Sequence, residues 1–223
     1  MSASTIESAL LKFKSSIPSY VDLVAVSKTK PNEDILRAYN AGQRIFGENK
    51  IQDLVQKQEA LPKDIKWHFI GHLQTNKVKY IAPFISLIHA IDSIKLLREI
   101  NKRAEQNERT IDCLLQVKIA QEDSKFGIYP DAVENFISSN EVKSLSNISI
   151  NGLMGMASNT ANGVQVKNEF EQLNVLYNRI KSSNPAFQTL SMGMSEDYRL
   201  AIDEGSNMIR VGSSIFGARN YSK

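Results

Sequence analysis

The feature of this sequence that most constrains its fold is a regular alternation of short, β-branched apolar runs with longer segments of helical periodicity. The apolar runs predict eight strands, at residues 21–28, 44–49, 66–71, 87–92, 111–119, 148–156, 188–192 and 208–211. The segments between them predict helices at residues 32–41, 50–60, 76–81, 93–107, 130–138, 163–181 and 195–204, and a further helix precedes the first strand at residues 5–14. The chain is therefore predicted to consist of consecutive strand–helix units.

The composition of the strands favours a parallel sheet. Runs such as VDLVAV at 21–26 and CLLQVKI at 113–119 are apolar nearly end to end, which suits strands covered on both faces by helices. Eight such units in series favour a closed barrel over a doubly wound open sheet. We therefore predict an α/β fold with one (β/α)₈ TIM-type barrel domain spanning residues 1–223, and we expect the helix at 5–14 to cap the bottom of the barrel.

Charge and composition narrow the class of protein. The 223 residues are 42% hydrophobic and 23% charged, which excludes disordered, collagen-like and coiled-coil chains. A net charge of +3 without a dense basic stretch suits phosphorylated small molecules and does not call for nucleic acid. The chain has a single cysteine, Cys113, and lacks both a secretory leader and an apolar run of about 18 residues. We therefore expect a cytoplasmic protein without a membrane span.

Lys28 is the first candidate functional residue, because it ends the first predicted strand and barrel enzymes carry their chemistry at the carboxyl ends of strands. A period of two places its side chain on the strand face of Val24 and Val26. Partial desolvation there would lower the pKa of the ammonium group and leave a free amine to attack an aldehyde. A lysine that only reaches solvent from a strand end is the alternative interpretation.

Two further strand ends carry polar residues. Asn49 closes the second predicted strand after Gly47, and a turn-forming asparagine is its alternative interpretation. His68 is interpreted as a barrel-interior histidine with a hydrogen-bond partner rather than as a general base. His68 and His72 lie four residues apart along a strand, a span of ~13 Å that is too long for a shared metal ion, so no metal site is predicted.

Two polar segments near the end of the chain indicate an anion site. Ser195 of the segment SMGMS is predicted to cap the following helix, where backbone N–H groups face outward. The segment RVGSS at 210–214 ends the eighth strand with glycine and hydroxyls, and the loops after strands seven and eight of such barrels commonly hold a phosphate. Each segment alone is explained by capping and turn chemistry. Together with Lys28 they predict an amine and a phosphate cradle in one barrel mouth.

Motifs for other chemistries are absent from the sequence, which contains no G-x-S-x-G elbow, Walker loop, H-E-x-x-H or helix-opening G-x-G-x-x-G. The segment GLMGM at 152–156 is interpreted as a strand in which glycines permit close packing, not as a phosphate loop.

Several segments together resemble the pyridoxal phosphate homeostasis proteins, which are single-domain relatives of the amino-terminal barrel of alanine racemase. The segments are VAVSKTKP at 24–31, FGEN at 46–49, WHFIGHLQTNK at 67–77, GLM at 152–154, LSMGMS at 190–195 and IFGAR at 215–219. The resemblance implies that Lys28 forms an internal aldimine with pyridoxal 5′-phosphate (PLP). It further implies a phosphate held by Ser191, Ser195, Gly212 and Ser213, a pyridine nitrogen faced by Arg210, and a ring lined by Asn49 and Met154.

The resemblance implies a monomer that binds PLP for intracellular vitamin B6 homeostasis without catalytic turnover and supplies it to apo PLP-dependent enzymes. An arginine at the pyridine nitrogen opposes protonation there and weakens PLP as an electron sink. Since the sequence ends at Lys223 without the racemase β-domain that supplies a second base, we expect no racemase activity. The alternatives are a small PLP-dependent amino-acid racemase-like enzyme and a cofactor-free sugar-phosphate isomerase or aldolase that uses Lys28.

Overall fold

The computed structural model describes residues 3–122 and 126–217 and shows a closed barrel of eight parallel strands in chain order within them. Each strand pairs with the next, and the last pairs with the first. The strands are β1 Asp22–Val26, β2 Ile45–Glu48, β3 Lys66–Phe69, β4 Leu87–Ile91, β5 Ile111–Val117, β6 Ile148–Gly155, β7 Thr189–Ser191 and β8 Met208–Val211. The predicted (β/α)₈ barrel is confirmed.

The described residues contain ten α-helices, most of which connect one strand to the next. They are α1 Ala3–Ser15, α2 Asn32–Asn40, α3 Ile51–Ala60, α4 Val78–Ile81, α5 Ile94–Gln106, α6 Val133–Ser138, α7 Asn140–Lys143, α8 Gly163–Ser183, α9 Tyr198–Asp203 and α10 Ser213–Phe216. The sequence prediction does not include helices α7 and α10, which have four residues each. None of the described helices is both long and apolar enough to cross a lipid bilayer.

The strands are apolar on both faces because each face packs against a different core. The outer faces and the helices share one large cluster of buried side chains, represented by Leu23, Phe46 and Ile209. The inner faces enclose a smaller apolar cluster of Val24, Leu87, Ala90, Leu114, Met154 and Met208. Burial on both faces explains why the strand runs lack a clear apolar–polar alternation.

Helix α1 does not cap the bottom of the barrel, which corrects the prediction for residues 5–14. Its buried residues Ile6, Leu10 and Phe13 recur at helical spacing, and the Phe13 ring lies 4.8 Å from that of Tyr198. The helix packs against α2 and against α10, which follows the carboxyl end of β8. An apolar stripe of this length is buried more completely along the side of the barrel, and α1 therefore belongs to the outer helical layer.

Gly152 and Gly155 permit close packing, as predicted. Gly152 pairs with Thr189 of β7, and a Cβ at this position would overlap the Thr189 carbonyl oxygen. A Cβ on Gly155 would lie 2.8 Å from a methyl group of Ile119. These glycines therefore let neighbouring parts of the chain approach β6 directly.

We predict that Gly152→Ala lowers the free energy of unfolding by about 3 kcal/mol, since the new methyl group must push β6 and β7 apart. Gly163→Ala is the matched control, because Gly163 has open space around its Cβ position and should change stability by less than about 0.5 kcal/mol. Urea unfolding of both variants measures the difference. Equal stabilities of the two variants would contradict the packing argument.

Candidate cofactor-binding site

The candidate residues gather at the carboxyl end of the barrel, which we call the mouth. Lys28 follows β1 by two residues and Asn49 directly follows β2. Ser191 is the last residue of β7, and Gly212 directly follows β8. Because all strands of a parallel barrel run in one direction, these positions share one end of the molecule.

Lys28 stands in a tight turn and not in the first strand, which corrects the predicted strand boundary. Strand β1 ends at Val26, and the Lys30 amide then donates a 3.0 Å hydrogen bond to the carbonyl of Ser27. Thr29 has a φ of 65°, a left-handed conformation that is uncommon for a β-branched residue. The strand register therefore does not extend to Lys28, whose half-buried side chain leaves the barrel wall from this turn.

The loops that follow β7 and β8 meet next to the end of β1, as the sequence predicts. The Gly212 amide donates to Ser195 Oγ at 3.3 Å, which joins the two loops directly. A Cβ on Gly212 would lie 3.1 Å from the carbonyl oxygen of Val26. Glycine thus lets the second loop approach the strand that leads to Lys28.

Ser195 is not the cap of the following helix, which corrects that prediction. Helix α9 begins at Tyr198, with Asp197 in the capping position. The amides of Asp197 and Tyr198 both donate to the carbonyl of Met194, and the Met194 amide donates to Asp197 Oδ1. This turn occupies residues 194–197 and delays the helix by one turn. Ser195 is left half-buried, with its hydroxyl on the neighbouring loop.

The side chains of Arg210 and Ser191 are buried inside the barrel at its mouth end. Arg210 is 4% exposed, and its guanidinium donates to Ser191 O at 2.9 Å, to Ser191 Oγ at 2.7 Å and to Gly155 O at 3.0 Å. Burial lowers the pKa of Arg210 to about 10, so the group remains charged at neutral pH. The hydroxyl of the fully buried Ser191 is therefore engaged within the barrel.

Two buried histidines continue this polar chain, which confirms His68 as an interior histidine with a partner. His68 Nδ1 lies 3.0 Å from His89 Nε2, and His89 Nδ1 lies 3.2 Å from Ser191 Oγ. Arg210 can only donate, so Ser191 Oγ accepts from it and has its own proton available for His89 Nδ1. In that arrangement His89 Nε2–H donates to His68, and both rings are neutral.

Sequence reasoning missed His89, although a signal was present. His89 is the one polar residue within the apolar run LIHAI of β4, where a buried polar group needs a partner. Desolvation lowers the pKa of His68 to about 3, with a smaller contribution from Lys66. Desolvation, then the charges of His68 and Arg210, lower the pKa of His89 well below its usual value.

The remaining candidates differ in their surroundings. Met154 is 1% exposed and belongs to the inner apolar cluster. Asn49 is half-buried. Its backbone packs so closely on Gly71 that a Cβ added to Gly71 would overlap the carbonyl oxygen of Asn49. Ser213 is exposed at the start of α10.

His72 lies apart from the interior histidines, 3.6 Å from Asp92 and stacked on Phe126.

The class of the protein follows from its similarity to known families. The alanine racemase N-terminal domain family matches residues 2–220 of the chain. Alanine racemase from Clostridium difficile 630 superposes with a TM-score of 0.79, covering 98% of this chain and 57% of the racemase, at an identity of 11% that shows the fold alone. Of the segments that suggested this class, Ala218 and Arg219 lie outside the described residues. The protein is thus a barrel of the alanine racemase N-terminal type.

More similar relatives define the family within this class. Pyridoxal phosphate homeostasis proteins from Pasteurella multocida and Escherichia coli K12 are 40% and 37% identical, each covering 92% of this chain and 89% of the relative. PipY from Synechococcus elongatus PCC7942 superposes with a TM-score of 0.89 at 34% identity, covering 95% of this chain and 100% of PipY. PipY with PLP bound superposes with a TM-score of 0.85. The chain belongs to the pyridoxal phosphate homeostasis protein family.

We predict that the buried histidines make stability depend on pH. The pKa of His68 is about 3 in the folded protein against an ordinary 6.5, so the unfolded chain binds more protons between these values. This contribution is fully present above pH 6.5 and decreases as the pH falls, by on the order of 2–3 kcal/mol between pH 7 and pH 4.5. Urea unfolding at both pH values measures it.

His68→Gln is the matched variant for this measurement, because an amide keeps a donor and an acceptor but does not titrate. The variant should lose less stability than the parent protein on acidification. Identical losses in both proteins would show that the His68 pKa does not contribute.

Proposed function

We propose that this protein binds PLP reversibly through Lys28 and holds it for PLP homeostasis rather than for catalytic turnover. The observation that carries the proposal is the position of Lys28 in the mouth, beside the joined loops that contain Ser195 and Gly212. The similarity to relatives named for PLP homeostasis and to PipY with PLP bound supports the same ligand. Those names state homeostasis and no enzymatic reaction.

The residues of the mouth fit the functional groups of PLP. When bound, PLP supplies an aldehyde that reacts reversibly with a primary amine. Lys28 supplies that amine from a half-buried turn. Ser195 and Ser213 offer hydroxyl groups to a phosphate, and hydrogen bonds to a charged ligand are the strong ones. That the Gly212 amide contacts the phosphate stays a prediction, since this amide donates to Ser195 Oγ. That Ser191 also contacts the phosphate stays a prediction, since its hydroxyl bonds Arg210 and His89.

The surroundings of Arg210 support a site that binds PLP without catalytic turnover. We assign it to the side of the ring nitrogen, with Asn49 and Met154 against the ring. Its hydrogen-bond acceptors are two carbonyl oxygens and a hydroxyl, all of them neutral, so its positive charge is not cancelled by those partners. A fixed positive charge disfavours a proton on the pyridine nitrogen and so weakens the ability of PLP to stabilise a carbanion.

The proposal includes the setting in which the protein works. We propose that it acts as a monomer in the cytoplasm and delivers PLP to apo forms of PLP-dependent enzymes. A reversible bond to Lys28 and an open mouth are sufficient for such delivery. The buried lone thiol of Cys113 is compatible with a reducing compartment.

We predict that borohydride reduction of the protein with PLP attaches a pyridoxyl group to Lys28, which peptide mass mapping identifies. Lys30→Met is the matched control and should keep the label, whereas Lys28→Ala should lose it. A label mainly on Lys30 or Lys118 would refute the assignment of Lys28.

We predict that pyridoxal, which lacks the phosphate, binds at least ~100-fold more weakly than PLP, equivalent to about 2.7 kcal/mol. Equal binding of pyridoxal and PLP in a titration would show that the loops after β7 and β8 do not hold the phosphate.

We predict that the PLP-loaded protein does not racemise L-alanine or other common amino acids over multiple turnovers. Racemisation needs a base on each face of the substrate carbon, Lys28 supplies one, and such help is typically worth ~10²- to 10⁴-fold. Proton exchange in D₂O and chiral chromatography measure turnover, beside an assay of PLP transfer to an apo enzyme. Multiple-turnover racemisation that is lost in Lys28→Ala would instead establish the amino-acid enzyme.

A further inference from the structure

We propose that Lys57 and Glu48 are positioning residues for Lys28, because they form a buried ion pair that anchors the turn carrying it. This inference rests on the proposed function, in which Lys28 binds PLP. Neither residue lies among the candidate ligands of PLP. Both act on Lys28 through Ser27, Lys57 at the backbone carbonyl and Glu48 at the side-chain hydroxyl.

The ion pair lies between the barrel wall and the helix that follows β2. Glu48 is the last residue of β2 and is fully buried, while Lys57 of α3 is 7% exposed. Lys57 Nζ lies 2.6 Å from Glu48 Oε1, and Ser27 Oγ donates to the same oxygen at 2.6 Å. Two groups, one from α3 and one from the residue after β1, therefore converge on a single carboxylate oxygen of β2.

The ammonium group of Lys57 also holds the turn directly. It donates to the carbonyl oxygen of Ser27 at 2.9 Å, and the same oxygen accepts the Lys30 amide that closes the turn. Thr29 adopts its left-handed φ of 65° inside this turn, a conformation that persists only where the surrounding structure enforces it. Lys28 lies between the anchored carbonyl and the strained residue, so its direction depends on both.

The burial of this ion pair indicates that it positions neighbouring residues more than it stabilises the fold. Desolvation raises the pKa of Glu48, against the opposing effect of Lys57. Among the described residues, Glu48 Oε2 has no hydrogen-bond partner. A buried ion pair with an unsatisfied oxygen is often no more stable than apolar side chains of similar volume. The pair lies next to the residues that lead into Lys28 and Asn49, which indicates a role in fixing the positions of these two residues.

The turn also separates Lys28 from the next lysine along the chain. Lys30 Nζ donates to the carbonyls of Phe216 at 2.9 Å and Gly217 at 3.2 Å, at the end of α10. The amine of Lys30 is thus directed to the end of α10. A loosened turn would let both lysines compete for the same aldehyde, and the distribution of label between them reports the geometry of the turn.

The test compares the double variant Glu48→Gln/Lys57→Met with Lys57→Arg and with the parent protein. The double variant removes both charges, a change that is often neutral for folding, and it leaves no unpaired buried charge. Lys57→Arg keeps a cation and donors for Ser27 O. Each protein is titrated with PLP, reduced with borohydride and mapped for the ratio of label on Lys28 and Lys30.

Gln43→Met is the matched structural control. Gln43 is 2% exposed and ties the same two strands at their opposite end, through 2.7 Å hydrogen bonds to the carbonyls of Leu23 and Ile45. Its loss weakens the β1–β2 junction far from the turn. Urea unfolding of all variants shows how much each substitution costs, and PLP binding is compared where all are folded.

We expect the double variant to bind PLP about tenfold more weakly, or about 1.4 kcal/mol, and to shift label from Lys28 to Lys30. Lys57→Arg should keep the ratio of label on Lys28 and Lys30 found in the parent protein. Gln43→Met should keep the same ratio despite its lower stability. A double variant with parent affinity and label ratio overturns the inference, as does an equal shift in Gln43→Met. Failure of the parent protein to label Lys28 refutes the proposed function instead.

Discussion

Pairing of β8 with β1 is the contact on which the site depends, because it closes the barrel and joins distant parts of the chain. The two strands align over four residue pairs. Closing a loop of this length carries an entropic cost that grows only slowly with chain length, and burial on both faces of each strand offsets it. Once the ring is closed, Lys28 and Gly212 must lie at one end of adjacent strands. The mouth is therefore a consequence of strand order.

A closed barrel must also fill its interior, and this one does so in two ways. An apolar cluster that includes Val24 and Leu114 fills part of the space. A further part is occupied by a chain of polar groups from Arg210 through Ser191 and two histidines. Buried polar groups are costly unless they satisfy one another, and here each member bonds the next. The one permanent donor, Arg210, sets the direction of the chain.

Much of the architecture could be predicted from the sequence, because eight apolar runs separated by amphipathic segments leave few arrangements open. Boundaries were harder to predict where a turn follows a strand without a change in composition. Lys28 was placed in β1 because VDLVAVSK contains neither glycine nor proline, and the left-handed Thr29 has no sequence signal. The helix predicted to follow a cap at Ser195 begins only at Tyr198, because residues 194–197 form a turn that no change in composition marks.

Buried polar partners were the least predictable part of the site. Lys57 lies on a helix with other charged residues, and its burial arises only when α3 packs over β2. His89 likewise needed the partner on the neighbouring strand to be recognised as part of a chain. In both cases the sequence contains the residue, but the pairing comes from tertiary contacts that span 9 to 21 residues of the chain.

The two polar networks lie on opposite sides of the barrel wall and act on different parts of the mouth. Inside, Arg210 bonds Ser191 and Gly155 and so holds the ends of β6, β7 and β8 together. Outside, Lys57 bonds Glu48 and Ser27 and holds the ends of β1 and β2. All of these bonds join protein groups to protein groups, so the strand ends around the mouth are held by the fold itself. Under the proposed function, such preorganisation reduces the ordering that each binding event requires.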